Sequence, residues 1–223
     1  MGHDWRDFSR NPTLWVMVGI PVLLSYLIVR ATAAGAPRHL VAPMWVLFAQ
    51  VMVGVMLSAP DLAEERERRT VEALVVSTAS YREVVAAKWA FAFLVSLAVQ
   101  ALVLTVNQAW TGGTAALIAT AALSGAVFTL VGLLIGLCCG SVRLAGAAAS
   151  AIMVALFLTG GIFESFGVLK PALRYLPSVL SVRLLGQAMA GTGLQSLDLL
   201  CLVGWLAALA AASLVRIEAE LRR

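Results

Sequence analysis

Apolar residues lie in six long, nearly unbroken runs, and most polar residues lie between these runs. The runs cover residues 14–29, 40–58, 89–110, 115–139, 144–163 and 197–215. A helix that spans a membrane needs about 20 predominantly apolar residues, with a range of roughly 17–25. The pattern therefore predicts an all-α membrane protein in which six transmembrane helices form a single transmembrane domain over residues 1–223.

The longest charged stretch falls between the second and third runs, over residues 60–88, and it is too long for a simple turn. Glu64 and Arg68 form an i,i+4 pair in the favourable order, which supports a helix. Apolar residues from Leu62 onward recur at loose helical spacing, and Asp61 is a residue type that caps helix N-termini. We predict an amphipathic helix that begins near Asp61 and lies against the membrane surface.

Two further segments are predicted to lie at the membrane surface. Residues 164–196, between the fifth and sixth runs, are divided by Pro171 and Pro177 and carry too much charge for a seventh span. They predict short outer helices that form a re-entrant or interfacial segment. Residues 1–12 carry aromatic and basic side chains that suit a short interfacial helix, although a frayed tail fits them equally well.

Lysine and arginine are distributed unevenly over the two sides that six spans define. Eleven of the 16 basic residues fall on the side that carries both termini and residues 60–88. Because positively charged loops remain in the cytoplasm, both termini and the charged stretch are predicted to be cytoplasmic. Hydrophobic residues make up 61% of the chain, against roughly 45–50% in soluble domains, so the surplus apolar surface must face lipid.

The residue types that carry enzyme chemistry are not arranged for it in this sequence. The only histidines are His3 and His39, and the three cysteines lie inside apolar runs, so no metal site is predicted. Neither a nucleophile–base motif nor a phosphate-binding G-x-x-x-x-G-K-[ST] loop occurs. We therefore expect no catalysis by this chain. Its net charge of +4 does not suggest nucleic-acid binding.

A few polar side chains interrupt the spans. Gln100 and Asn107 lie near one face of the third run, where unpaired polar groups cost free energy in hydrocarbon. They either line a substrate path or form interhelical hydrogen bonds, and the second interpretation is favoured. Glu164, which ends a long apolar run, is a further candidate for the substrate path, whereas Asp198 is interpreted as a helix cap.

Small residues recur in the fourth run, where Gly132, Gly136 and Gly140 stand four residues apart. Small residues at this spacing let two membrane helices approach closely. The neighbouring helix can belong to the same chain or to a second copy, and packing within one chain is favoured.

The stretch APDLAEERERRTVEALVVSTASYREVVAAKW resembles the segment between the second and third spans of ABC-2-type transporter permeases. That family has an acidic–basic run, then roughly E-x-G-T-x-E-x-L, a proline-containing turn and a lysine that enters the next span. The matching residues are Glu67, Thr70, Glu72, Leu74 and Lys88. The sequence departs from the pattern at two positions: Arg69 stands at the usual glycine, and Thr78 stands near the usual proline.

The resemblance implies the multi-pass membrane subunit of an ABC exporter, placed in the lipid bilayer of a bacterial cytoplasmic membrane. Such permeases work as dimers on which two cytosolic ABC ATPase subunits dock, and a homodimer is favoured over a heterodimer here. ATP and Mg²⁺ would bind the partner ATPase, so this chain would bind no cofactor. The charged helix would be the coupling element, and the coupling residues would be Glu64, Glu67, Arg68, Thr70 and Glu72.

The cargo is expected to be a drug, an antibiotic, a lipid or a similar apolar molecule that moves outward. One alternative is the haem-exporter B subunit of cytochrome c maturation, which has a similar length and six spans, although the charged run looks less like that subfamily. Another alternative is a non-transporting membrane scaffold that anchors a partner. Stimulated ATPase activity in an assembled complex would separate transport from the scaffold interpretation.

Overall fold

A computed structural model describes residues 12–32, 38–67, 81–110, 113–161 and 170–221. All regular structure within these ranges is helical, so the predicted all-α class is confirmed. The helices, in chain order, are α1 (Pro12–Thr32), α2 (Arg38–Ala49), a π-helical segment (Gln50–Val55), α3 (Met56–Glu67), α4 (Tyr81–Val106), α5 (Thr114–Cys138), α6 (Val142–Gly161), α7 (Lys170–Leu173), α8 (Pro177–Ala190) and α9 (Ser196–Leu221).

Five helical stretches in the described ranges are long and apolar enough to cross a membrane, which makes the chain a multi-pass membrane protein. Four of them are α4, α5, α6 and α9. The fifth runs from Val41 to Glu64 through α2, the π-helical segment and α3. The first predicted span corresponds to α1, whose apolar part, Trp15–Ala31, is shorter than the other five. The count of six spans therefore stays a prediction.

No break separates the second span from the start of the charged stretch. The π-helical segment follows α2 directly, and α3 continues through Pro60 and Asp61 to Glu67. Leu62 is buried in a cluster with residues of α4, α5 and α9, and this packing extends the helix beyond the apolar run. The prediction that a new helix begins near Asp61 is therefore wrong. The rest of the predicted amphipathic helix falls within residues 68–80, which lie outside the described ranges.

The central element of the bundle is α5. Most of its span is buried, whereas the spans of α6 and α9 are mostly exposed. It packs against α3, α4, α8, α9 and the π-helical segment. The exposed helices present large apolar side chains to their surroundings, for example Leu144 on α6 and Leu200 on α9. Such an exterior suits hydrocarbon, where all backbone polar groups are already paired inside the helices.

The helix α8 lies among the long helices. Nine of its 14 residues are buried, and it packs against α2, α5, α6 and α9. Just before α8, the carbonyl oxygen of Tyr175 accepts a hydrogen bond of 2.8 Å from Trp205 Nε1. Because Trp205 lies nine residues into α9, the start of α8 sits about 14 Å along that helix. The prediction that residues 164–196 form a re-entrant or interfacial segment at the outer surface stays a prediction.

Candidate functional site

Five helix ends meet at one end of the bundle: the carboxyl ends of α3, α5 and α9, and the amino ends of α4 and α6. The up-and-down order of these helices brings them together. We call this region the charged end, and we define it by the residues Asp61, Glu64, Glu67, Arg82, Lys88, Arg216 and Glu218. It contains the first part of the charged stretch that the sequence singled out.

Polar contacts tie these helix ends to one another. Lys88 Nζ on α4 lies 2.9 Å from Asp61 Oδ1 on α3, and Arg82 Nη2 on α4 lies 3.3 Å from Glu218 Oε1 on α9. Arg216 Nη2 donates to the backbone carbonyl of Leu137, at the end of α5, at 3.5 Å. The charged end is thus a network in which α4 connects α3 to α9.

The predicted coupling residue Glu67 contacts the start of the next helix. Its Oε2 accepts a hydrogen bond of 3.0 Å from the backbone N–H of Val142, the first residue of α6. A carboxylate suits this position because the first N–H groups of a helix lack partners within the helix. Both Glu67 and Glu64 are exposed. The side chain of Glu67 therefore joins two spans while it remains open to solvent and to a partner.

The structure tests the other predicted coupling residues only in part. Glu64 lies one helical turn before Glu67 on α3, so the two are neighbours on the charged end. Arg68, Thr70 and Glu72 lie outside the described ranges, as does Glu164 of the predicted substrate path. Their assignments stay predictions.

A buried polar cluster lies in the middle of the bundle, around the predicted residue Gln100. Its Oε1 accepts a hydrogen bond of 2.9 Å from Gln50 Nε2, which also contacts Ser124 Oγ at 2.7 Å. Gln100 Nε2 in turn donates to Ser96 Oγ at 3.2 Å. All four side chains are fully or almost fully buried. They join the π-helical segment, α4 and α5, and we call them the glutamine cluster.

The predicted residue Asn107 is buried two helical turns beyond Gln100, just after the end of α4. Its Nδ2 donates to Ser25 Oγ of α1 at 2.9 Å and to the carbonyl of Val103 at 2.8 Å. Gln100 and Asn107 thus form the interhelical hydrogen bonds that the sequence interpretation favoured. A path that uses them would require these helices to separate.

The predicted close approach of helices occurs within the chain. A Cβ atom on Gly132 would lie 2.7 Å from the carbonyl oxygen of Val55, and a Cβ on Gly136 would lie 2.7 Å from that of Ala59. Both glycines therefore let α5 lie directly on the backbone of the second span. Gly140, the third glycine of the pattern, has no heavy atom within 4 Å of its Cβ position.

An ion pair at the opposite end of the bundle was missed by the sequence interpretation. Arg183 Nη2 on α8 lies 2.9 Å from Asp198 Oδ2 on α9. Asp198 is fully buried, and it lies in the first turn of α9 rather than at its cap, so its interpretation as a cap is wrong. The pair fixes α8 against α9, and Arg183 also donates to Gln195 Oε1 at 3.0 Å.

The described residues hold no group of three or more His, Cys, Asp or Glu side chains that could bind a metal ion. What they do hold is a charged end linked to the close contact of α5 with the second span, and a helix, α8, fixed by an ion pair at the other end. These features define a multi-pass helical membrane protein whose polar contacts join its helices to one another.

Comparison with known families agrees with this class. The family model for the ABC-2 type transporter matches residues 2–194. The chain therefore belongs to the ABC-2 type transporter family, as the sequence resemblance indicated. Members are membrane components of ABC-type transporters and typically work with a cytosolic ATPase; they are not themselves catalytic. No curated protein matches the chain.

Proposed function

We propose that this chain is the membrane subunit of an ATP-driven exporter in a bacterial cytoplasmic membrane, and that its charged end is the docking site of the cytosolic ATPase. Two copies of the chain would form the permease, and the cargo would be a drug, an antibiotic, a lipid or a similar apolar molecule. ATP and Mg²⁺ would bind the partner ATPase only.

The observation that carries the proposal is the link from Glu67 to Val142. The carboxylate stands on the exposed end of the second span and contacts the first residue of α6. A partner that binds the charged residues around Glu67 therefore displaces two spans at once. Charged, solvated side chains also suit recognition of a soluble partner, because complementary charges favour encounter and fix orientation.

The distribution of charge supports the cytoplasmic placement of this end. Arg82, Lys88 and Arg216 lie here together with the first part of residues 60–88. The positive-inside rule places such a concentration of basic residues in the cytoplasm, where an ATPase has access to it.

The test is reversal of charge at the coupling residues. The permease is produced with the ATPase encoded beside it, in the native form and as Glu67→Lys or Glu72→Lys. ATP hydrolysis by the purified complex and resistance of the cells to a panel of apolar antibiotics are then measured. We expect both variants to insert and the complex to hydrolyse ATP, while the resistance is lost.

Glu67→Gln is the matched control, because its amide oxygen can still accept the hydrogen bond from Val142. It should retain more resistance than Glu67→Lys. Full resistance with both charge-reversal variants would contradict the coupling role, and failure of the native chain to associate with any ATPase would contradict the proposed function as a whole.

A further inference from the structure

The second span contains a π-helical segment, which no other described helix has. Residues Gln50–Val55 are π-helical, and the flanking residues Ala49 and Met56 are in the right-handed α conformation. A π-helical turn is closed by i→i+5 instead of i→i+4 hydrogen bonds, so it amounts to one inserted residue, and it occurs mostly as short insertions that are frequent at functional sites. The span is thus divided into two α-helical halves by a segment of different register.

The two halves differ in their main neighbours. The outer half, α2, packs most extensively against α8 and α1, whereas the inner half, α3, packs most extensively against α5 and α6; α4 and α6 contact both halves. The π-helical segment lies at the change of neighbours and contacts α4 and α5. Within the second span, a movement of α3 therefore reaches α2 through this segment, whereas α8 is also connected to α3 through α5 and α6.

Gln50, the first residue of the π-helical segment, is held by side-chain hydrogen bonds from both neighbouring helices. It is fully buried, and its Nε2 contacts Gln100 Oε1 of α4 at 2.9 Å and Ser124 Oγ of α5 at 2.7 Å. The Gln50 Oε1 atom has no hydrogen-bond partner among the described residues. The amide thus orients its donors toward α4 and α5 at the cost of an unpaired acceptor.

The other end of the segment is fitted to the backbone of α5. Ser58 Oγ donates to the carbonyl oxygen of Gly54 at 2.5 Å and contacts that of Thr129 at 3.3 Å. A Cβ atom on Gly54 would lie 3.3 Å from Thr129 N, and one on Gly132 would lie 2.9 Å from the Gly54 oxygen. The two glycines leave room for the wider π-helical turn, and the serine hydroxyl pairs one of its carbonyl groups.

We infer that Gln50 is a positioning residue for the transport cycle. It holds the π-helical segment in register against α4 and α5, and this segment is the joint within the second span through which movement of the charged end reaches α2 and, with α2, the helix α8 that packs on it. The inference rests on the proposed function. A change of the segment to regular α-helix would shift the register by one residue and rotate one half against the other by about 100°.

The experiment compares Gln50→Leu with Asn107→Leu. Each variant removes one buried amide that makes hydrogen bonds between helices. Only Gln50→Leu changes a residue of the π-helical segment. The permease–ATPase complex is placed in lipid nanodiscs, and hydrogen–deuterium exchange is measured for each variant with and without ATP and vanadate. The readouts are the nucleotide-dependent changes in the inner half of the span, α3, and in the outer elements α2 and α8.

We expect the native complex and Asn107→Leu to respond to nucleotide in both regions. Gln50→Leu should respond in α3, lose the response in α2 and lose part of the response in α8, which α5 and α6 also connect to α3. Ser124→Ala, which removes one acceptor of the same amide and little volume, should reduce the outer response and serves as the test if Gln50→Leu does not assemble.

A native outer response in the Gln50 and Ser124 variants would overturn the inference while leaving the proposed function intact. An equal loss in Asn107→Leu would also overturn it, because the effect would then follow from any lost interhelical hydrogen bond. No nucleotide response anywhere in the native complex would contradict the proposed function, and the inference would fall with it.

Discussion

The two ends of the bundle both contain ion pairs, but the pairs differ in their exposure to water. At the charged end, the side chains of Arg82 and Glu218 are 57% and 50% exposed. At the opposite end, the Asp198 side chain is fully buried beneath Arg183, which is 27% exposed. Exposed pairs contribute little to stability, whereas a buried charge depends strongly on its partner. The contact of Arg82 with Glu218 can therefore rearrange at low cost, while α8 is held firmly against α9.

The largest effect is expected where the buried pair is broken. Arg183→Leu leaves the Asp198 carboxylate buried without its ion-pair partner, and we expect a loss of about 3 kcal/mol in the free energy of unfolding. This value is at the low end for buried pairs because Arg183 reaches solvent. Unfolding of the purified protein in detergent micelles measures it.

The double variant Arg183→Leu/Asp198→Leu is the control for the buried pair. It removes both charges, so it should recover much of the stability that the single variant loses. If Arg183→Leu were as stable as the native chain, the buried pair would contribute no more to stability than the exposed pair of Arg82 with Glu218.

The next largest effect is expected where α5 lies against the backbone of the second span. Gly132→Ala places a Cβ atom against the backbone carbonyls of Gly54 and Val55, and overpacking of this kind costs about 1–3 kcal/mol. Gly204→Ala is the matched control on α9, because no heavy atom lies within 4 Å of its Cβ position. The same unfolding measurement compares the two variants. Equal free energies of unfolding would show that α5 is not closely packed against the second span at Gly132.

The smallest effects are expected at the two pairs of the charged end. Asp61→Asn removes the partly buried ion pair with Lys88, but it removes the negative charge itself and keeps an oxygen that can accept a hydrogen bond, so we expect a loss of about 1 kcal/mol. Arg82→Gln should change the free energy of unfolding by even less, because both members of its pair are half exposed. Raised salt should reduce both effects. A loss at either position as large as that of Arg183→Leu would remove the contrast between the ends.

The positions of the long helices could be predicted from the sequence because each span consists of a continuous run of apolar residues. The fourth run, 115–139, corresponds to α5 at Thr114–Cys138. Helix ends that carry charge were predicted less well. The helix α9 extends to Leu221, six residues past the predicted end, because Arg216 and Glu218 bind neighbouring helices. Hydropathy detects the part of a helix that lipid surrounds, and polar contacts lengthen it.

At Pro60 and Asp61 the sequence interpretation made a different error, because it predicted the start of a helix where the helix is continuous. Pro60 and Asp61 are residues that commonly mark the beginning of a helix, and the sequence interpretation used Asp61 in that way. In the structure both lie inside a continuous helix, since Leu62 is buried among α4, α5 and α9. Tertiary packing here outweighs the local signal.

Some residues of the candidate site could be predicted individually from the sequence, but their pairing could not. Gln100 and Asn107 were found because a polar residue in an apolar run is conspicuous. Gln50 interrupts the second run in the same way, but its partners lie 50 and 74 residues away. The π-helical segment leaves no local pattern, and neither does the pair of Arg183 with Asp198.

The central claim is that the ATPase docks at the charged end, and site-specific cross-linking tests it most directly. Cys138, Cys139 and Cys201 are first replaced by alanine, and one new cysteine is placed at exposed Glu64 or, at the opposite end, at exposed Thr192. A photoactivated cross-linker is attached to the new cysteine in the permease–ATPase complex. We predict a cross-link to the ATPase from position 64 and none from position 192. A cross-link from position 192 alone, or from neither position in an assembled complex, would contradict the account.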